Sequence, residues 1–540
     1  MHRTCRTVPG AARGRWRRLQ SATALVLLLA GTAISGYAQS LFDPSNRIYR
    51  HLAIWELRGY FAPLPELRPY APQLIVQLLR EVASKGDARD RELAESYLEA
   101  LAPRTFGDAS ALPPIEVGVR ASVESSPDPA PRIRVAGELV STYVADGLFA
   151  YSAMLSYWWQ SGAERRLSYT VPQVPARGLN LYGRDVGAGD VRAAATFGEP
   201  GLHLQAGFAQ HGFGSALHDS LVLAAGAPAA ARISGVYRGA TFSYSASLLQ
   251  LVAERAVTRM GQRYLLKSGC PQEDECPRPV GFPSKYLMLH ALQWYPLPWM
   301  KLSLFSSWLF GARASLYQLL PTAPVTEPFT GDYDNGLTGG TLWLRLPADF
   351  STGATLFVDD YHPINRDGSV SLFTNKMAGQ ATLSWAPSGL PAVVSLDYLF
   401  VSPYTYTHSS HQPINYLTYT HKRQPLGTAL PPDSDRWTLA ALVTPVPQLD
   451  LELAARLIRH GAGSIWDDGY DDNGKATFVG GAPDFLDPVT ETAYQLEVAA
   501  TGRVPIATLE LAARISYGLE YLESGSTADH LIGVQVGISL

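Results

Sequence analysis

From Lys285 to Leu540 the chain alternates two kinds of connection, and this alternation restricts the fold more than any other feature. Short turns carry Pro or Gly: Tyr295-Pro296-Leu297-Pro298, Pro347-Ala348-Asp349, Pro387-Ser388-Gly389-Leu390-Pro391, Pro445-Val446-Pro447 and Gly502-Arg503-Val504-Pro505. Long or polar stretches, 311–338, 361–375, 402–434, 460–490 and 523–529, fall at every second connection. Strand-like segments of 8–17 residues separate the two kinds. Short connections on one side and long ones on the other are the pattern of a transmembrane β-barrel of the outer-membrane type.

Side-chain periodicity agrees. Phe242, Tyr244, Ala246 and Leu248 share one face of a strand whose other face is Ser243, Ser245 and Ser247. Leu509, Leu511, Ala513, Ile515, Tyr517, Leu519 and Tyr521 alternate with Glu510, Ala512, Arg514, Ser516, Gly518 and Glu520. Ile532, Val534, Val536, Ile538 and Leu540 do the same at the end of the chain. Apolar-out, polar-in alternation follows from the two-residue repeat of a strand. A soluble β-sandwich would alternate too, so the strand count matters. Nine upward segments (114–124, 148–160, 201–209, 239–253, 299–310, 351–360, 391–401, 449–459, 506–522) interleave with nine downward ones (131–145, 191–199, 220–237, 285–295, 339–346, 376–386, 435–444, 491–501, 530–540). The expectation is an all-β barrel of about 18 antiparallel strands over 113–540, an even number. Residues 161–190 are open to an extra strand or an inward-folded loop.

The beginning of the chain reads as an export signal over 1–38. Arg3, Arg6, Arg13, Arg15, Arg17 and Arg18 precede an apolar run from Ala22 to Ile34, and Gly36-Tyr37-Ala38 offers small residues for cleavage. The run is shorter than the roughly 20 residues a spanning helix needs. Removing six Arg from 44 Lys+Arg leaves 38 against 48 Asp+Glu, a net charge of −10 that does not suggest nucleic-acid binding. Residues 39–112 then hold a small helical segment, expected on the periplasmic side. Ile48, Leu52 and Trp55 form one stripe, Leu74, Ile75, Leu78, Leu79 and Val82 a second, Leu93, Tyr97, Leu98 and Leu101 a third. So small a bundle needs something larger to pack against. Cys270 and Cys276, alone in the exported chain, are expected to staple a loop as a disulfide; two Cys make a poor zinc site. No cofactor is expected.

One stretch resembles a known family. Asp397-Tyr-Leu-Phe-Val-Ser-Pro-Tyr-Thr-Tyr-Thr-His408, Asn415-Tyr-Leu-Thr-Tyr-Thr-His421, Gln424-Pro-Leu-Gly427 and Pro432-Asp-Ser-Asp435 resemble the Wzi-type capsule assembly proteins. Gly207–Gly214 with Ser220–Leu223, the pair Asp359-Asp360, and Lys285–His290 before Pro296–Trp299 add to the likeness. It implies an outer-membrane barrel with a periplasmic helical bundle, acting as a lectin that holds surface polysaccharide. Two departures put the glycan's identity in doubt: Ser306-Ser307-Trp308 stands where an acidic position is expected, and the Cys270–Cys276 loop looks like an addition.

The residue types suit sugars. Tyr404, Tyr406, Tyr416, Tyr419, His408, His411 and His421 sit in long connections, where aromatic faces cover apolar sugar faces; the same types also build interface girdles. Tentative glycan-binding or motif residues are Asp359, Asp360, Asp397, Tyr404, Tyr406, His408, Tyr419, His421, Gly427 and Asp433. Adjacent Asp359 and Asp360 cannot both face the lumen of an ideal strand, so a bend, bulge or loop position is expected there. The run Asp467, Asp468, Asp471, Asp472 and Asn473-Gly474 fails the calcium-loop spacing and reads as a solvated loop. Asp397, His408, His411, Ser409 and Ser410 supply acyl-transfer types, but there is no Gly-x-Ser-x-Gly elbow and no His-Glu-x-x-His motif. The expected function is therefore not enzymatic. It is an outer-membrane barrel that binds and anchors exported capsular or exopolysaccharide, with membrane lipid and the export machinery as further partners. A porin or substrate-specific channel is the alternative.

Overall fold

A computed structural model describes residues 41–539 apart from 102–104, 107–114, 126–131, 146–147, 162–165, 171–178, 183–184, 256–283, 312–318, 321–333, 361–375, 409–413, 466–484 and 507–508. The expected signal segment, Cys270, Cys276, Ser409, Ser410, His411 and the Asp467–Gly474 run lie outside these residues.

Three helices come first: α1 Arg47–Arg58, α2 Pro72–Lys85 and α3 Ala88–Leu101. Asn46 caps α1 by accepting from the Ile48 amide (3.0 Å), and Gly59 ends it with φ 75°, a left-handed position suited to glycine. Pro72 starts α2 where its missing N–H costs nothing. Asp87 caps α3 by accepting from the amides of Arg89 and Asp90. All three expected stripes meet in one buried core, with Tyr97 and Leu98 packed at its edge.

Eighteen strands follow: β1 Ile115–Ser125, β2 Arg132–Ala145, β3 Phe149–Ser161, β4 Asp185–Glu199, β5 Leu202–Ala209, β6 Ala230–Arg238, β7 Phe242–Val252, β8 Ser284–Leu297 and β9 Met300–Gly311. They continue with β10 Asn335–Arg345, β11 Phe350–Asp360, β12 Lys376–Trp385, β13 Ala392–Val401, β14 Ser434–Val446, β15 Leu449–His460, β16 Glu491–Ile506, β17 Leu509–Leu522 and β18 Thr527–Ser539. Each pairs antiparallel with the next, and β18 pairs with β1 to close the barrel. The expected 18-stranded fold is what forms. No helix among the described residues is long and apolar enough to cross a membrane.

Two local expectations need correction. The downward strand expected over 220–237 begins only at Ala230, because 210–229 leave the wall and run into the lumen. The turn expected at Gly502–Pro505 lies further on: β16 continues to Ile506, with Pro505 paired to Glu510. Beyond Gly502 that strand has lost its β15 neighbour, so Pro505 removes no ladder bond on that side. Residues 161–190 do both things left open. Leu179–Tyr182 pair with the start of β4, while Ser168 turns inward to bond Glu520 (2.9 Å) and Gln495 (2.7 Å).

The outer wall is apolar, and its aromatic residues form two belts. Phe197, Tyr237, Phe242, Trp294, Phe350 and Trp385 ring the short-turn end; Tyr157, Trp159, Trp437, Tyr494 and Tyr521 ring the other, all exposed. Aliphatic side chains such as Leu155, Val191, Leu496 and Val498 lie between them. Such paired girdles mark the two faces of a bilayer. Inward, Ser243, Ser245, Ser247, Ala512 and Glu520 are buried as the alternation requires.

The lumen is occupied. The helical bundle sits at the short-turn end, where Arg47 donates to the Pro447 carbonyl (3.0 Å) and Arg58 to those of Pro387 (3.2 Å) and Leu390 (2.6 Å). Segment 210–229 and residues 402–408 and 414–433 fold inward above it. Leu67, Phe213, Leu221, Leu223, Phe305, Phe357, Leu399, Tyr406, Tyr419 and Leu426 form a single apolar core inside the barrel. Fully burying each such side chain stabilises by about 1.5–3 kcal/mol, which is what keeps chain rather than water in this space.

Candidate functional site

The inserted segment ties the two ends of the barrel together. At its lower end Gly212–Phe213 pair with Leu67–Arg68, and the Gly214 amide donates to the Glu66 carbonyl (2.9 Å). At its upper end the Ala224 amide donates to the Leu426 carbonyl (2.8 Å). Midway, Asp219 accepts from Thr428 Oγ1 (2.7 Å) and Arg436 (2.9 Å), and its own carbonyl accepts from Gln380 (3.1 Å). Asp219 thus joins segment, loop and wall through one carboxylate.

Several of the residues expected to meet glycan converge on this segment. Tyr406 is 1% exposed and Tyr419 0%. Their rings stack at 5.5 Å beside Phe357. Tyr406 donates its hydroxyl to the Leu221 carbonyl (2.8 Å) and its amide to Asp359 Oδ2 (2.8 Å). Tyr419 donates to the Val222 carbonyl (2.9 Å) and meets Ser307 Oγ (2.8 Å). Burial pushes both phenols well above their ordinary pKa, so they stay neutral donors. Gly427 approaches so closely that a Cβ there would lie 2.3 Å from the Leu221 carbonyl oxygen.

The others flank this centre. His421 accepts from the Val252 amide at Nδ1 (3.0 Å) and donates from Nε2 to the Ala229 carbonyl (3.0 Å), which fixes one neutral tautomer. Burial lowers its pKa from 6.5 to about 4. Asp433, at φ 60°, accepts from the amides of Ala462 (3.0 Å) and Leu486 (2.8 Å), binding two long connections together. At the Asp359-Asp360 pair, where a bend, a bulge or a loop position was expected, the register of β11 shifts between Val358 and Asp360, leaving Asp360 opposite Lys376. Tyr404, at φ 61°, and His408 are half-buried nearby.

Asp397 accepts from Gln380 (2.6 Å) and lies 3.7 Å from His218 Nδ1; His218 Nε2 is 3.2 Å from Ser384 Oγ. The order Ser384, His218, Asp397 resembles a hydrolytic triad, but Ser384 is buried and 3.7 Å is too long for a hydrogen bond. These contacts hold the segment against the wall.

Sequence reasoning missed a charged compartment in the lumen. Two adjoining cavities, about 390 and 230 Å³, share Arg50, Ala216, Glu452 and Arg514. Glu452 pairs with Arg50 and Arg514, both at 3.0 Å, and Arg456 with Glu497 at 3.0 Å. Glu452 and Arg456 project from one face of β15, a signal that a strand reading of Leu449–His460 contains. Arg50 comes from α1, and its arrival depends on long-range packing.

No protein-family model and no curated protein matches the chain. Among solved structures, Wzi of Escherichia coli, an outer-membrane protein involved in group 1 capsule assembly and a carbohydrate-binding β-barrel, aligns with 94% of this chain and 98% of its own. The identity is 11% and the TM-score 0.53. OccD3 (OpdP) of Pseudomonas aeruginosa covers 79% of this chain and 90% of its own at 9% identity and TM-score 0.41. OccAB2 of Acinetobacter baumannii covers 79% and 97% at 10% identity and TM-score 0.42. At 11% identity the likeness to Wzi is one of fold, that of an outer-membrane β-barrel.

Proposed function

We propose that this barrel binds exported polysaccharide and anchors it at the cell surface, with the long connections outside and the helical bundle in the periplasm. The observation that carries this reading is the apolar core that the inserted segment and inward loop pack inside the barrel, where a diffusion channel needs water. The carbohydrate binding of the structurally similar Wzi and the resemblance within 397–435 support it. Tyr406, Tyr419, Gly427 and Asp359 then act indirectly, by holding the loops that present polar and aromatic groups to the polymer. Tyr404 and His408, half-buried in the same connection, touch it. Weak contacts suffice, because a repeating polymer engages many copies at once.

A channel is the second reading, favoured by the charged compartment around Arg50, Glu452 and Arg514. Purified protein tested in planar bilayers and against polysaccharide separates the two. Silence with saturable polysaccharide binding supports anchoring; steady open conductance without binding overturns it.

A further inference from the structure

Arg50, on α1, lines both of the adjoining lumen cavities with donors to spare. Its hydrogen-bond partner among the described residues is a single oxygen, Glu452 Oε1 at 3.0 Å, and Arg514 Nη1 takes the same oxygen at 3.0 Å. Glu452 gives its other oxygen to Arg514 Nη2 (3.3 Å). The Arg50 side chain keeps 29% of its surface exposed. A guanidinium holds five N–H donors in a planar fork whose edge matches a carboxylate. One shared oxygen leaves most of that fork open.

The other carboxylates around the cavities are engaged. Arg436 (2.9 Å) and Thr428 (2.7 Å) hold Asp219, and Arg456 (3.0 Å) holds Glu497. Arg68, in the wall of the larger cavity, donates to the carbonyls of Pro44 (3.0 Å) and Gly214 (3.1 Å) and bonds to no carboxylate among the described residues. An incoming anion therefore meets acids that already have partners and cations with charge to share.

The remaining surface is apolar. Val393, Leu442 and Ala499, all buried, line the smaller cavity with Ala216 and Leu217 of the inserted segment. Apolar walls with a few placed polar groups are the usual make-up of a small-molecule pocket, and the larger cavity of about 390 Å³ falls within the range of about 300–1,000 Å³ for such pockets. Glu452 is the fourth residue of β15 and Val393 the second of β13, both counted from short turns. The compartment thus lies toward the short-turn end, from which a solute would enter.

We propose that Arg50 binds one small organic carboxylate, with the acid on the open edge of the guanidinium and the apolar body in the adjoining cavities. Bound there, the ligand braces α1 against β15 and β17, which carry Glu452 and Arg514.

The full chain in detergent is titrated calorimetrically with sodium benzoate, and with benzamide as the uncharged counterpart of the same shape. Saturable heat with benzoate and none with benzamide is the expected result. Arg50→Gln should weaken benzoate at least about tenfold. Should that variant fail to fold, Glu452→Gln decides by its sign. Losing the competing carboxylate leaves Arg50 more open, so benzoate should bind about tenfold more tightly, whereas a compartment merely loosened by substitution would bind it less. No saturable benzoate heat in the native protein, equal binding of benzamide, undiminished affinity in Arg50→Gln, or weaker or unchanged affinity in Glu452→Gln would overturn the proposal.

Discussion

Gly427 lies so near Leu221 that any side chain must displace backbone, the least compliant neighbour available. Gly427→Ala should cost about 1–3 kcal/mol by overpacking, and faster hydrogen exchange at the Ala224 and Leu426 amides, whose segments meet there, would show it. His421 carries a pH dependence. Its folded pKa of about 4 lies below the unfolded 6.5, so the unfolded chain binds the extra proton first. The stability it contributes is complete above pH 6.5 and falls as pH drops toward about 4. Exchange at the Val252 amide should quicken from pH 7 to 5 after correction for intrinsic rates, with the local pH slope lost in His421→Gln. The tyrosines, histidines and aspartates of 397–435 were legible as a special cluster, but not their task. Tyr406 reaches Leu221 across 185 residues of sequence, and no local pattern announces that partner. Side chains that suit sugars also suit buried carbonyls and amides, so type alone does not tell a binding surface from a polar latch.

At the scale of elements, strands were legible wherever both faces declared themselves. The failure at 220–229 has a physical cause: Leu221, Val222 and Leu223 look like a strand's apolar run, yet all three are buried inside the lumen. Pro296 and Pro445 marked turn neighbourhoods correctly because each falls within a register shift at a strand end, where an absent N–H is tolerated. The bundle's seat on the barrel depends on Asp450, which takes Arg47 at 2.9 Å and Arg503 at 3.5 Å while 1% exposed. Asp450→Asn leaves buried Arg47 and half-buried Arg503 without their carboxylate and should cost about 3–5 kcal/mol. Protease added at the short-turn side should then cut within residues 41–101 of the variant well before it cuts the native protein. Equal cutting rates would mean that the bundle is held by other contacts.

For the molecule as a whole, two aromatic belts and an apolar wall fix where the bilayer sits, while an apolar core of inward-folded segments occupies part of the lumen. The barrel was readable because alternation and connection length are local and repeated many times. Its filling was not, because an inward loop and an outward one have the same composition until the partners 150–400 residues away are known. Lys285 illustrates the cost of that filling: wholly buried in the wall, it donates to the carbonyls of Thr418 (2.6 Å) and Thr420 (2.9 Å). Lys285→Met should release this part of the loop, with about 1.5–3 kcal/mol lost per charged hydrogen bond, read as a lower unfolding midpoint. Anchoring is most directly tested in cells, by the fraction of exported polysaccharide that stays attached when the gene for this chain is deleted. A large shift of polymer into the medium at unchanged total synthesis, restored by the native chain, is the expected result; full retention on the cell surface would contradict the proposed role.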